Sequence, residues 1–386
     1  MEAPMNRQYF IGLDTHGSFC EMAVVTSDGK LAQRGNCKTT ICALREMIGK
    51  VPAPRHLVFE EGLLANWLYR NLAGHVEALT VAEPRRNRLI ACEGDKDDPV
   101  DAEKLAKLLR GGYVKSVHQT ETLEETLFKQ LVAQYQSRVR RRVAGGQQVT
   151  AILKQHGVMA RAKHFNHAED RVEILQQLPE ERLLREMVTA SWKEYDAFLA
   201  HEDAWRKRLV RQAKKDDVVV RLTALPGISW VRAATLRAYL DTPWRFRSVK
   251  ASWKYLGIGL DRRHSGNGPE LSAVPKQTNR LLKSTILGAA RSAIAQGENP
   301  FAGQYEGWIS RGVSAKMANR NVARSLSATL WGLWKSGTVY HPEWVGVNMA
   351  ATQGIETFSR CANDAMFPRR GRSSDAKHGP ASAESP

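Results

Sequence analysis

Cysteine is scarce in this chain, and its few residues are scattered. The sequence holds five cysteines in 386 residues, and no two of them form a Cys-x-x-Cys pair. A widely spaced, odd-numbered set supports neither a zinc ribbon nor a disulfide framework. We therefore expect reduced thiols that serve as small apolar side chains.

Long apolar runs are also missing. No run approaches the roughly 20 residues that a membrane-spanning helix needs, and the first residues do not open a signal peptide. We expect no membrane partner and a cytoplasmic, nucleoid-associated location in a bacterium.

Negative charge is the minority. Asp and Glu number 40 against 57 Lys and Arg, which gives a net charge of +17. Such an excess favours a polyanionic partner, because each Lys or Arg at a phosphate releases counterions. A basic surface without a ligand is the alternative. The length predicts two or three domains.

A few acids stand where chemistry could use them. A short, alternating apolar run predicts a first strand that ends in Asp14. A later apolar strand ends at Glu60 or Glu61, and Asp98 and Asp101 stand three residues apart at a helix start. Carboxylates gathered at one sheet edge repel one another unless a cation joins them. We therefore predict a site for Mg²⁺, with Mn²⁺ as a substitute. The alternative is that Asp98 only caps the helix and Asp101 only favours its dipole.

The order of elements predicts a mixed sheet. A three-strand meander is followed by alternating helices and strands, the order found in ribonuclease-H-like domains. Farther on, apolar residues recur at helical spacing, with Gly145-Gly146 and Pro179 expected to interrupt them. The predicted segments are an α/β domain (1–115), a helical, coiled-coil-like arm (116–214), a mostly α-helical domain (215–340) and a disordered basic tail (341–386).

Two patterns outside the acids suggest nucleic-acid contacts. The arm carries a dense basic run from Arg138 to Arg142, which is either a solvated face or a contact surface. The turn at Gly227 lies between two helical stretches and is typical of a helix-hairpin-helix motif, in which backbone N–H groups meet a DNA phosphate.

Several runs together resemble one family. Tyr9 to His16, Phe59 to Gly62 and Lys96 to Ala102 resemble the DEDD insertion-sequence transposases, which are RuvC-like recombinases guided by a bridge RNA. Leu225 to Ile228 and Tyr255 to Gly266 resemble that family's second conserved domain. The resemblance covers roughly residues 8–336. It implies an α/β N-terminal domain of the RuvC/ribonuclease-H-like fold with a mixed sheet.

The resemblance also implies site residues. Asp14, Glu60, Asp98 and Asp101 would be the metal-binding catalytic tetrad, and Ser265 the nucleophile that joins covalently to a DNA phosphate. Two departures from the family pattern leave questions open. Glu60-Glu61-Gly62 is one residue shorter than usual, so Glu61 competes with Glu60, and Asp97 replaces the usual Thr before the third acid.

The candidate nucleic-acid contacts are Arg85, Arg86, Arg88, Arg138, Arg140, Arg141, Arg142, Gly227, Arg262 and Arg263.

Ser265 has a physical case of its own, although a weak one. A hydroxyl needs activation by a metal or a base, and nearby glycines let backbone approach a phosphate closely. Arg262 and Arg263 could offset charge on the reacting phosphoryl group. Alone, a serine in a glycine-rich loop is usually a turn residue.

The function that the resemblance implies is a DNA transposase or recombinase of an insertion sequence. It would cut and exchange strands with Mg²⁺ and Ser265. Its partners would be double-stranded DNA (donor and target), a guide RNA and further copies of the chain, as a homodimer or homotetramer. Two rival hypotheses are a RuvC-like, structure-selective nuclease that uses water, and a non-catalytic DNA-binding protein.

Overall fold

Five strands form one mixed sheet near the N-terminus. The computed structural model describes residues 8–87, 98–263, 271–273 and 278–346. The strands are β1 (Tyr9–Thr15), β2 (Phe19–Thr26), β3 (Leu31–Lys38), β4 (Arg55–Glu60) and β5 (Ala78–Ala82). Their order across the sheet is β3-β2-β1-β4-β5. β1 is antiparallel to β2 and parallel to β4. The predicted α/β fold class with a mixed sheet is confirmed.

One face of this sheet is covered by the first two helices. Thr40 caps α1 (Ile41–Gly49) by accepting a hydrogen bond from the backbone N–H of Ala43, as Ser and Thr commonly do. α2 (Ala65–Leu72) follows β4. The alternate residues of β1 and β4, among them Leu13 and Phe59, are fully buried in a core with these helices. Period-two alternation therefore turns Gly12 and Asp14 to the opposite face.

That opposite face carries α4. After the short α3 (Pro84–Asn87), α4 (Asp98–Arg110) crosses the sheet. A Cβ added to Gly12 would lie 2.0 Å from the backbone oxygen of Ala102, so strand and helix touch through backbone here. At the other end of α4, the Arg110 side chain donates a hydrogen bond to the carbonyl of Ser27. The backbone N–H of Ser27 in turn donates to the carbonyl of Gln8, the residue just before β1. α4 therefore runs antiparallel to β1, with its first turn at the carboxyl end of that strand.

The close contact at Gly12 gives a stability prediction. We expect Gly12→Ala to destabilise the sheet–α4 unit by about 2 to 3 kcal/mol, since the methyl group can be accommodated only if backbone shifts. Hydrogen exchange should quicken at the amides of β1 and α4. Gly17→Ala is the control, because its added Cβ would meet nothing within 4 Å. An unchanged exchange rate in Gly12→Ala would contradict this packing.

The chain divides into two compact units, Met1–Gln130 and Leu131–Pro386. The second consists mainly of helices. Helix α5 (Leu123–Gln155) begins in the first unit and continues into the second. The helices that follow it are α6 (Ala168–Gln176), α7 (Arg182–Ala213), α8 (Asp217–Leu222), α9 (Trp230–Leu240), α10 (Val249–Tyr255), α11 (Arg280–Gln296), α12 (Pro300–Ser310), α13 (Ala315–Ser336) and α14 (Glu343–Gly346). Two short strands, β6 (Asp261–Arg263) and β7 (Leu271–Ala273), pair antiparallel between α10 and α11. The predicted four-segment boundaries stay predictions.

The expectation that Gly145-Gly146 interrupt the arm is wrong. Both glycines lie inside α5, which continues to Gln155. A Cβ on Gly145 would lie 2.9 Å from the Phe198 ring, and one on Gly146 3.2 Å from the Tyr195 ring. These glycines let α7 approach α5 closely, so they serve packing and not helix termination. Within the described ranges, no helix is long and apolar enough to cross a membrane.

Candidate active site

Asp14 and Glu60 lie side by side near the carboxyl ends of β1 and β4. β1 and β4 are parallel, and their last registered pair is Leu13 with Phe59. Asp14 and Glu60 are the next residue on each strand. Because the preceding pair is buried on the α1–α2 face, alternation assigns both acids to the α4 face. Two strand ends thus bring a carboxylate each to the same edge and the same face.

The first turn of α4 comes to this edge as well. Asp101 immediately precedes Ala102, whose carbonyl lies against Gly12, two residues before Asp14. Asp98 begins α4 one turn earlier, while its side chain lies outside the described part. Asp101 is half-buried, and Lys104 Nζ lies 3.4 Å from one of its oxygens. One end of the sheet therefore carries three of the four predicted ligands, which are Asp14, Glu60 and Asp101, and the backbone of the fourth, Asp98.

Register distinguishes between the two competing glutamates. Glu60 is the last residue of β4 and pairs with Ala82 of β5. Glu61 lies beyond the strand, where its backbone N–H donates to the carbonyl of Ala82. Alternation from buried Val58, which packs with Leu105 of α4, gives Glu60 the α4 face. The geometry thus favours Glu60 as the ligand candidate.

Glu21 is an acid at this edge that sequence reasoning missed. It pairs with Asp14 across the β1–β2 hairpin, and partners in an antiparallel pair share a face. The signal in the sequence is the short turn at His16-Gly17-Ser18 between β1 and β2, from which this register could be counted back. Glu103, also on α4, has a different role: Lys107 and then Arg34 bond its carboxylate and hold its pKa below the ordinary value.

His16 contacts the first predicted ligand directly. Its Nε2 lies 3.0 Å from Asp14 Oδ2, and the two side chains are 37% and 27% exposed. The ring stacks on Phe19 at 4.6 Å between centroids, and Thr39 Oγ1 donates to the His16 carbonyl. The imidazole is therefore held in place where it can orient the carboxylate.

The donors fit a hard divalent cation in kind. Carboxylate oxygens at one edge are what Mg²⁺ and Mn²⁺ bind in proteins. Among the residues that the structure describes, no three His, Cys, Asp or Glu side chains lie close enough to hold one ion. The acids thus share one edge and one face of the sheet, but the described carboxylates do not lie close enough together to bind one ion.

The predicted nucleophile lies outside the described residues. β6 ends at Arg263 and β7 begins at Leu271, so Ser265 lies in sequence within the connection between them. Arg262 and Arg263 belong to β6, whose side chains lie outside the described part. Of the predicted contacts near the acids, Arg85 is exposed on α3 and Arg86 shares that helix, whereas Arg88 lies outside the described residues.

A cationic cleft lies between α5 and α7. It has a volume of about 220 Å³, and its lining residues are Arg138, Arg141, Phe198, His201 and Trp205. The Arg138 guanidinium lies 4.3 Å from the centre of the Trp205 ring, a cation–π arrangement. Arg140 and Arg141 are exposed, whereas Arg142 forms an ion pair with Glu202 of α7 at 2.5 Å. The basic run thus contains one arginine that joins two helices and others that face a cleft or solvent.

Gly227 packs against a helix. It has a φ of +75°, and an added Cβ would lie 2.1 Å from the carbonyl oxygen of Ala289 on α11. Its N–H donates to Gln296 Oε1 at 3.0 Å, and its carbonyl accepts from Arg232. In this conformation the N–H is engaged within the protein. A phosphate contact at Gly227 stays a prediction.

Comparison with known proteins identifies the family. A model described as "Transposase", of the DEDD type, matches residues 11–158, and a model described as "Transposase IS116/IS110/IS902 family" matches residues 220–306. The matches together span more than half of the chain. This chain belongs to the IS110 family of DEDD transposases. The first match contains all four predicted tetrad positions, and the second contains Ser265.

A curated relative agrees with that membership. This IS110-family chain is similar to a protein of Sinorhizobium fredii (strain NBRC 101917 / NGR234) named as a candidate transposase, y4pF/y4sB. The two are 20% identical over 251 residues, which is 64% of each chain. The matched part thus covers less than two thirds of the relative's length.

Proposed function

We propose that this chain is a DNA transposase that moves an insertion sequence by metal-dependent strand cleavage and exchange. The observation that carries the proposal is the convergence of Asp14, Glu60 and the first turn of α4 at one edge and one face of the sheet. That convergence joins acids from three distant parts of the sequence. A purely structural role for them would not require a common face.

In this proposal the tetrad Asp14, Glu60, Asp98 and Asp101 would hold Mg²⁺, with Mn²⁺ able to replace it. A divalent ion there would offset charge on a reacting phosphodiester and lower the barrier to displacement. His16 orients the Asp14 carboxylate through its 3.0 Å contact. His16 would thus hold one acid, Asp14, in place before DNA arrives, which reduces the reorganisation of that carboxylate during reaction.

Ser265 is the proposed nucleophile. Its hydroxyl oxygen attacks phosphorus and forms a serine–phosphate ester, while one bond to a sugar oxygen breaks and leaves a strand end with a free hydroxyl. A hydroxyl of the exchanging strand then attacks the same phosphorus and releases the serine. One ester bond is replaced by another at each step, so rejoining needs no high-energy cofactor.

Nucleic-acid binding would draw on the excess of basic side chains. Double-stranded DNA is the proposed substrate as donor and target, and a structured guide RNA is the proposed second partner. The α5–α7 cleft combines exposed cations with aromatic rings, a combination that holds phosphates and stacks bases. Exchange requires several strands cut together, so a homodimer or homotetramer is proposed.

The deciding experiment begins with the expressed protein and whatever nucleic acid copurifies with it. We expect a discrete, structured RNA upon sequencing. Combined with donor and target DNA and Mg²⁺, the complex should give recombinant junctions that are detected by sequencing across the joints. Absence of both the RNA and the junctions, in a protein that is folded and binds DNA, would refute guided transposition.

The arm cleft gives a prediction of its own. We expect Arg138→Gln with Arg141→Gln to weaken nucleic-acid binding about tenfold and to lower the salt-dependence slope by about two, one for each lost phosphate contact. Fluorescence anisotropy at several salt concentrations measures both quantities. Arg182→Gln is the control, because Arg182 is 93% exposed on α7 outside the cleft. Equal weakening in the control would point to nonspecific charge loss.

A further inference from the structure

Two arginines on α13 are not explained by the site described so far. Arg320 and Arg324 stand four residues apart, so their side chains leave the helix on neighbouring turns of one face. Neither forms an ion pair within the described ranges. A half-buried guanidinium without a carboxylate is costly unless an anion from outside completes it.

Arg324 uses only part of its hydrogen-bonding capacity. Its Nε donates to the carbonyl of Ile258 at 2.8 Å, and its Nη1 donates to Asn321 Oδ1 at 3.0 Å. Its Nη2 is buried and has no hydrogen-bond partner in the described protein. Burial first, and the nearby charge of Arg320 second, lower the pKa of Arg324 from its ordinary value.

Arg320 and its neighbour repeat the pattern. Arg320 Nε is buried without a partner, and so is Asn319 Oδ1. Two guanidinium groups with unsatisfied N–H donors thus lie within electrostatic range of each other. No described carboxylate forms an ion pair with either guanidinium.

The position of the pair indicates which ligand would reach it. Arg324 holds the carbonyl of Ile258, three residues before β6. A Cβ on Gly257 would lie 2.9 Å from Thr278, so the chain returns to this point after β7. The pair therefore lies at the base of the β6–β7 hairpin, whose connection contains Ser265 in sequence.

We propose that Arg320 and Arg324 form a binding site for a backbone phosphate of the nucleic-acid strand that approaches the β6–β7 hairpin. Guanidinium groups match phosphate oxygens with paired N–H donors, and they keep their charge even when partly buried. The choice of a nucleic-acid phosphate over other anions rests on the proposed function. That an anion binds here at all is inferred from the unpartnered N–H donors of Arg320 and Arg324 alone.

The test uses the full chain and two kinds of probe. Inorganic phosphate, compared with chloride at matched ionic strength, should raise the melting temperature of the wild-type protein but not of Arg320→Gln. A 20-base-pair DNA duplex and an RNA hairpin of similar length should bind Arg320→Gln about tenfold more weakly than wild type. Weakening of one probe alone would identify the source of the phosphate.

The controls separate binding from folding. Lys316→Gln removes one exposed positive charge from the same helix and should change binding less than twofold. Arg320→Gln should melt at or above the wild-type temperature, because it removes an uncompensated charge. Arg324→Lys keeps the positive charge but loses the paired N–H donors of the guanidinium. It should therefore lose the phosphate-induced rise in melting temperature.

Two results would overturn the proposal. One is binding of both probes by Arg320→Gln at wild-type affinity, and the other is a phosphate-induced shift that survives in Arg320→Gln. Neither measurement depends on strand cleavage. A chain that binds phosphate through this pair but never recombines DNA would refute the proposed function and leave the anion site standing.

Discussion

Replacement of Asp14 by asparagine is expected to reduce metal-dependent DNA cleavage by about a thousandfold or more, because the site loses a charged ligand at its centre. Asparagine has nearly the same shape, so the strand should keep its register with β2 and β4. Removal of one carboxylate from an edge that also carries Glu60 and Glu21 lessens repulsion. We therefore expect the melting temperature without metal to stay equal or to rise.

The metal itself gives a second readout for Asp14→Asn. Added Mn²⁺ or Mg²⁺ should raise the melting temperature of the wild-type protein, because a cation that binds only the folded state stabilises it. That shift should disappear in the variant. Isothermal titration with Mn²⁺ measures the same loss independently of activity.

Glu103→Gln is the matched control for Asp14→Asn. Glu103 lies on α4, two residues after Asp101, but its carboxylate is bonded to Lys107 and Arg34, so it attaches the helix to β3. We expect this control to lower stability modestly and to keep cleavage. If Asp14→Asn cleaved within a fewfold of wild type, the acids would be structural, and the non-catalytic DNA-binding protein would be the better hypothesis.

Local patterns in the sequence were enough to predict much of the α/β unit. The strand that carries Asp14, the hairpin turn at Asp28-Gly29 and the Thr40 cap each depend on residues close in sequence. The carboxylates could be proposed because acids at strand ends are unusual. Their common face could not be derived, since it depends on which residues of β1 and β4 pair.

Other features required tertiary contacts. Gly12 and Glu21 become meaningful only when the packing of α4 and the register of β2 are known. Gly145-Gly146 carry the sequence signal of a helix end, yet here close approach of α7 outweighs the low helix propensity of glycine. Arg320 was missed for the same reason, because the absence of a partner is not visible in a sequence rich in arginine.

Replacement of Ser265 by alanine is the second prediction with a large expected effect. It should abolish the covalent protein–DNA adduct and lower strand cleavage by about a thousandfold or more, because the attacking oxygen is lost. Wild-type protein incubated with DNA and metal should give a slower, detergent-resistant band after denaturation. Ser265→Ala should give none, while it should bind the same DNA with unchanged affinity.

The same experiment can locate the adduct. Trypsin should release the peptide from His264 to Lys276, whose only hydroxyl side chains are Ser265 and Ser272. Fragmentation of the nucleotide-bearing peptide should assign the modification to Ser265, and Ser272→Ala should retain both adduct and cleavage. An adduct on Ser272 would move the nucleophile to β7.

Cleavage that persists in Ser265→Ala, with no adduct in the wild-type protein, would mean that water attacks the phosphodiester. Hydrolysis discards the ester bond that a serine–phosphate intermediate preserves, so such an enzyme could cut DNA but could not rejoin it without another source of energy. That outcome would favour the structure-selective nuclease over the recombinase. The identity of the attacking oxygen therefore determines whether this chain can exchange strands at all.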